Sequence, residues 1–345
     1  MRVGVVGTNW GLMHVGAFRG AGAEVVGLCG HDLARTREAA RREGIALATT
    51  DVGELAAAAD VVVVAGPDGL HCEHALRALG AGAHVLCEKP IARTRDEAEA
   101  VAREAEARAP GQAFGLSFAL RMLPPLGRLR AWLEGRPPVR SVQAQLRSGF
   151  VRPEPAAEGA PLMGASGDFG GASHLVDAAL WLAGDEPAWV QASLTGRPAH
   201  DVGLLVGTAR GARLHLSHVA AARPSNHCAW GLAGEGWEAR FSAGYEPALG
   251  GWVVGPVEAF VANERGELGW HEIAPALGPS PGAREPWAEA HVGVARAFLA
   301  RARGEASAPL ATARDGLLVQ RVFDAAMRSE LSGRRVRLDE AEAGG

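Results

Sequence analysis

Lys89 is the only lysine in this 345-residue chain; of its 35 Lys and Arg positions all the others hold arginine. A coding bias toward arginine explains the absences, and it makes the one exception informative. Arginine stays charged at any physiological pH, whereas lysine gives up its proton when its surroundings lower its pKa. A site that needs a proton-transferring amine cannot take arginine, so Lys89, in Cys87-Glu88-Lys89-Pro90, is the first candidate for chemistry. The second is the turn Gly7-Thr8-Asn9-Trp10-Gly11, which follows an apolar run and opens a helical stretch. Backbone N–H groups and the helix dipole at such a turn suit a dinucleotide's pyrophosphate. It is not a clean G-x-G-x-x-G, because Asn9 stands for the second glycine and Leu12 for the third. Asparagine tolerates left-handed backbone, so the turn remains feasible. A purely structural strand-to-helix turn would read the same way.

The end of the second strand bears on which dinucleotide binds. A carboxylate there hydrogen-bonds the ribose 2′-OH of NAD and repels a 2′-phosphate. This chain has Gly30-His31-Asp32, with glycine at the acid's usual place and Arg35, Arg37 and Arg41 following. Space and positive charge favour NADP over NAD; Asp32 swinging in would favour NAD.

These residues need elements to hold them. Residues 3–6, 25–29, 60–65 and 84–87 are strand-like, and 12–18, 32–42, 70–79 and 96–108 are helical. The β-branched run at 60–65 suits a strand buried on both faces, and the alternation predicts a doubly wound parallel sheet. Further on, 139–147, 189–194, 203–208, 213–219, 229–232 and 238–241 are strand-like and divided by Gly-rich turns, which predicts a mainly antiparallel sheet. Helices are expected at 172–182, 285–303 and 314–331. The expectation is therefore an α/β chain. Residues 1–120 form a Rossmann dinucleotide-binding domain; 121–345 form an α/β substrate and oligomerisation domain, whose C-terminal helix packs back on the first. Gly- and Pro-rich loops at 153–167 and 277–284 interrupt the second part, and the first of these is expected to carry specificity.

Several segments together resemble the Gfo/Idh/MocA oxidoreductases. They are the Gly7–Gly11 turn, Gly66-Pro67-Asp68-Gly69-Leu70-His71, Ala81-Gly82-Ala83-His84-Val85-Leu86-Cys87-Glu88-Lys89-Pro90, and Ser173-His174-Leu175-Val176-Asp177 with Leu180-Trp181-Leu182-Ala183-Gly184. The resemblance spans nearly the whole chain, including Arg121 and Pro124, and the Ala81–Pro90 segment is its most specific part. It implies hydride exchange between the nicotinamide C4 and a carbinol or carbonyl carbon of a sugar-like small molecule. It implies that Lys89 stands beside the nicotinamide, with Pro67, His71 and Glu88 also at the cofactor, and that His174 is catalytic. It further implies oligomer contacts through an open sheet, as in a homodimer or homotetramer.

The chemistry agrees. Removing hydride from an alcohol also requires loss of the hydroxyl proton, which a histidine accepts and a lysine relays, or stabilises as oxyanion. Asp177 lies one helical turn after His174, placed to orient it or to bind a substrate hydroxyl. Many family members carry an aspartate four residues before this histidine. Here that position is Gly170, and Asp168 is the only nearby substitute. Reduction of a carbonyl is then as open as oxidation. Two other uses of the fold also remain open: redox-neutral sugar modification with a recycled cofactor, and a dinucleotide-binding sensor. Arg121 reads equally as a substrate clamp or as half of a salt bridge.

Other classes find no support. The net charge of −4 and the lack of a basic run give no reason for nucleic-acid or membrane partners. The opening residues are too short for a signal peptide's apolar core, and four scattered cysteines suit a reducing cytoplasm. His71-Cys72-Glu73-His74 lacks a distant ligand pair, so no metal site is expected. Tyr245 has no lysine four residues on, which excludes a YxxxK dehydrogenase.

Overall fold

Strands without a polar face must be covered on both sides, and the first sheet is built of these. The computed structural model describes residues 1–148, 170–195, 201–220, 227–246, 248–249, 251–262, 266–280 and 283–340. Strands β1 (Arg2–Val6), β2 (Glu24–Cys29), β3 (Leu47–Thr49), β4 (Val61–Val64), β5 (His84–Cys87) and β6 (Phe114–Leu116) pair in parallel. Their spatial order is β3-β2-β1-β4-β5-β6. Helices α1 (Gly11–Gly20), α2 (Leu33–Glu43), α3 (Val52–Ala58), α4 (His71–Gly80) and α5 (Arg95–Arg108) connect them, and every residue of β4 is fully buried. This is a Rossmann-type sheet. Its strand order reverses between β1 and β4, and ligands of such sheets bind beyond the carboxyl ends of the strands at that switch point.

Helix starts divide in two groups. Asp32, Asp51 and Thr94 accept backbone N–H groups at the starts of α2, α3 and α5, as good N-cap residues do. No side chain caps α1 or α4, the two helices that follow β1 and β4.

The second sheet is mixed and mostly antiparallel. After α6 (Pro124–Leu133) come β7 (Val139–Ser148), α7 (Gly170–Ala183), β8 (Pro187–Thr195), β9 (Asp201–Thr208), β10 (Arg213–Ala220), β11 (His227–Gly234) and β12 (Trp237–Glu246). Then follow β13 (Gly251–Val254), β14 (Val257–Ala262), β15 (Leu268–Ala274), α8 (Pro286–Ala302), α9 (Ala313–Ser332) and β16 (Val336–Arg337). The strand order is β15-β14-β12-β11-β7-β10-β9-β8-β16, with β13 on β12; β7 and β10 run parallel. Alternation puts Val142, Ala144 and Leu146 of β7 and Leu214 and Leu216 of β10 on the buried face, where α7 packs. The opposite face exposes Gln143, Gln145, Gln191, Ser193 and His215.

Contacts divide the chain into Met1–Met122 with Trp287–Gln320, and Leu123–Pro286 with Arg321–Gly345. Beside the expected boundary near residue 120, a second division falls inside α9, and nearly all of α8 counts with the nucleotide-type sheet. Strands β3 and β6, three residues each, are too short to leave a periodic signal, and β13 to β16 were not anticipated either. Among the described residues no helix is long and apolar enough to cross a membrane.

Candidate cofactor and catalytic sites

The glycine turn after β1 has the geometry a phosphate cradle needs. Gly7 adopts φ +114°, and a Cβ there would run into the carbonyl oxygen of Ala65, at the end of β4. Only glycine allows that approach. Gly11 packs almost as closely, with its ideal Cβ 3.1 Å from Val5 Cγ1. Thr8 is half-buried, while Asn9 and Trp10 are exposed, so the turn is open on the side where α1 begins uncapped. The residues present therefore fit a dinucleotide, whose pyrophosphate the uncapped N–H groups would receive.

Glu88 and Lys89 follow β5 directly. Glu88 is buried, and its Oε1 accepts a 2.8 Å hydrogen bond from Nε2 of His14, one turn into α1. Its Oε2 faces the backbone N–H of Lys89 at 3.1 Å. Burial alone would raise this carboxyl's pKa, yet the His14 hydrogen bond and the charges of His14 and Lys89 hold it well below the usual carboxylate range. His291, on α8, completes the cluster, with its ring 5.9 Å from that of His14. Burial pushes its pKa down to about 4, helped by the charge of His14, so the ring is neutral and its Nδ1–H donates to Trp287 O. Trp10 and Trp287 both meet the ring of His291 edge-on. The carboxylate thus ties the Lys89 segment to the helix that starts at the glycine turn. Lys89 itself is half-buried.

At the end of β2 the side a Gly30 Cβ would take is filled: it would collide with Thr36 Oγ1 and would lie 2.7 Å from Thr8 Cγ2. Asp32 does not swing toward the strand end; its Oδ1 accepts the Arg35 N–H at 2.9 Å as the cap of α2. His31 and Arg35 are exposed after that strand, and among the described residues no ion pair is formed by Arg35. Arg41, by contrast, pairs with Glu38.

Two more residues named from the sequence have structural engagements. Buried His71 lies between carbonyls, Nδ1 2.7 Å from Pro90 O and Nε2 3.0 Å from Gly66 O, so it fastens the loops after β4 and β5 to each other. Pro67 is exposed in the first of those loops. Arg121, 7% exposed, donates to Asp315 Oδ1 at 3.0 Å, which matches the salt-bridge reading of that residue.

In the second unit, α7 carries His174 and Asp177. Ala172, Ser173, Leu175, Val176 and Asp177 are buried, whereas Gly171 and His174 share the partly accessible stripe. Asp177 is thus an interior polar group, 1% exposed. Asp168 and the 153–167 loop lie outside the described residues. Sequence reasoning passed over His14, His291 and His218, all buried. The signal was present for His218: it takes the place of an apolar residue in the alternating row Leu214, Leu216, His218 of β10.

Residues 1–110 match the Gfo/Idh/MocA oxidoreductase family, described as having an NAD-binding Rossmann fold. The chain is 38% identical over 109 residues to 1,5-anhydro-D-fructose reductase of Ensifer adhaerens, covering 31% of this chain and 32% of that protein. It is 31% identical over 191 residues to levoglucosan dehydrogenase of Pseudarthrobacter phenanthrenivorans, covering 50% of this chain and 47% of that one. The matches therefore span about a third to a half of these relatives' length. Among solved structures, an oxidoreductase domain protein from Kribbella flavida superimposes with TM-score 0.79 at 25% identity, covering 98% of this chain and 99% of the other. Levoglucosan dehydrogenase in complex with NADH reaches 0.80 at 23% identity over 99% and 100%, a likeness of fold.

Proposed function

We propose that this protein is an NAD(P)-dependent oxidoreductase that exchanges hydride between the nicotinamide and a carbinol or carbonyl carbon of a sugar-like molecule. The observation that carries the reading is the buried Glu88–His14 hydrogen bond, which couples the Lys89 segment to the glycine-turn helix. When bound, the nicotinamide supplies or accepts the hydride. The chain's part is to bind, to orient and to move the accompanying proton. The uncapped start of α1 receives the pyrophosphate, and Lys89 holds or relays the proton of the reacting oxygen. His174, on the accessible stripe of α7, is the second proton-handling group. The names of relatives support the substrate class: they include levoglucosan, glucoside, glucose-6-phosphate and inositol dehydrogenases.

NADP is the preferred cofactor in this reading. Charge supports it: Asp32 is occupied as a cap, while Arg35 and His31 stand exposed after β2. The polar, open face of the second sheet is proposed as the contact surface of a homo-oligomer, which sedimentation analysis would reveal as a dimer or tetramer.

The test is a panel of levoglucosan, glucose 6-phosphate, simple glucosides, inositols and 1,5-anhydrofructose, assayed in both directions with each dinucleotide. Stoichiometric change in nicotinamide absorbance with at least one member is expected. Tight dinucleotide binding without turnover across the panel would contradict the reading and favour a sensor.

A further inference from the structure

His218 is 1% exposed, yet neither of its ring nitrogens has a hydrogen-bond partner. Burying an imidazole that way is unfavourable, and an apolar side chain in the same row would avoid it. Its row on β10 is otherwise apolar, and the residues beside it on the neighbouring strands are Leu146 and Val202. The ring is turned toward α7: Nε2 lies 2.9 Å from the position a Cβ would take on Gly171. Gly171 is three residues before His174, on the same partly accessible stripe of the helix. Glycine at 171 thus makes room for the ring, on which any side chain there would press, and both ring nitrogens are shielded from solvent.

We propose that His218 is a substrate-contacting residue whose Nε2 binds a hydroxyl of the substrate beside His174, and so contributes to specificity. This rests on the oxidoreductase reading above. Burial lowers the pKa of His218, with Asp201 opposing, so the ring is neutral at working pH. A neutral imidazole offers one N–H and one lone pair, and an alcohol needs the same two complements. A hydroxyl-bearing neutral ligand fits this residue better than an anion does.

The experiment compares wild type, His218→Leu and His218→Gln on the best substrate of the panel. Leucine continues the apolar row, so His218→Leu should melt at the wild-type temperature or above it. Its KM should rise about tenfold or more, the loss expected when one hydrogen bond to substrate disappears. Dinucleotide Kd should stay unchanged and kcat should stay within about threefold. His218→Gln keeps a donor and an acceptor and should recover part of the KM. A lower melting temperature with KM unchanged would assign His218 a packing role and overturn the proposal. If His218→Leu does not fold, His218→Met takes its place: a wild-type KM in it overturns the proposal, and a raised KM at unchanged melting temperature supports it. Wild-type protein that turns over no member of the panel would overturn both the oxidoreductase reading and this one. Turnover with KM indifferent to residue 218 would overturn this one alone.

Discussion

Two regions of the molecule hold buried polar groups differently: the end of β5 with its neighbouring loops, and the α7 face of the second sheet. In the first region most buried polar groups find partners, Glu88 with His14, Arg121 with Asp315, and His71 between two carbonyls, although His14 Nδ1 and Ser117 Oγ find none. On the α7 face of the second sheet the surroundings are apolar, and buried His218 lacks any partner. The first arrangement fixes a geometry that is the same whatever the substrate. The second keeps hydrogen-bonding capacity in reserve, which is useful only to a ligand that arrives later. In the proposed function, cofactor chemistry belongs to the first region and substrate choice to the second, a division that each prediction below can break or sharpen.

The largest effect is expected at Lys89. Lys89→Arg keeps the charge and the fold but removes a titratable amine, so kcat should fall by about 10²–10⁴ while dinucleotide Kd changes little. His174→Asn should lower kcat by about 10²-fold in steady-state assays, also without loss of dinucleotide affinity. Weakened dinucleotide binding in the second variant would break the division between regions.

Next comes the matched network itself. His14→Ala leaves Glu88 buried and unpaired, and should lower unfolding free energy in urea by about 3–5 kcal/mol. The network also sets the acid limb of stability. The folded chain keeps His291 neutral down to about pH 4, whereas the unfolded chain protonates it near its ordinary value of 6.5. The unfolded state therefore binds more protons across that window, and stability falls as pH drops through it. Glu88, whose folded pKa is depressed, contributes stability above its ordinary value of 4.5 that is lost on further acidification. Melting curves of His291→Phe should flatten between pH 6.5 and 4, and those of Glu88→Gln below about pH 4.5. An unchanged acid limb in both variants would show that these groups are not matched in the way described.

The smallest effect concerns cofactor choice. Arg35→Ala should weaken NADP binding by about fivefold, one exposed charge-assisted contact, and leave NAD binding unchanged. Equal losses for both dinucleotides would assign Arg35 to α2 stability instead. Gly30→Asp alone should not convert the preference, since the new side chain meets Thr36 and Thr8 before it reaches a ribose.

The difference between regions also decides what the sequence made legible. Nucleotide binding rests on backbone conformations that few residues permit, so Gly7, Gly11 and the Val61–Val64 run announced a Rossmann sheet. Lys89 stood out because nothing else in the chain is lysine. The His14–Glu88 bond joins residues 74 positions apart, and no local pattern carries such a separation. The surroundings of Gly30 were not legible for the same reason: Thr36 and Thr8, which lie beside it, come from two other elements. His218 was visible as a break in the β10 alternation, but its significance depends on a helix met across the sheet. Residue types revealed which chemistry is supported; the partners of buried polar groups needed the fold.

The central claim is that hydride passes directly between the nicotinamide and substrate carbon. It is tested most directly by following deuterium from C4-deuterated NADPH, with the oxidised form of the best panel substrate, by mass spectrometry of the product. Transfer of the label to product carbon, matched by net NADPH oxidation and absent in Lys89→Arg, is the predicted result. Label that remains in the dinucleotide, or product that forms with no net change in its redox state, would contradict the account.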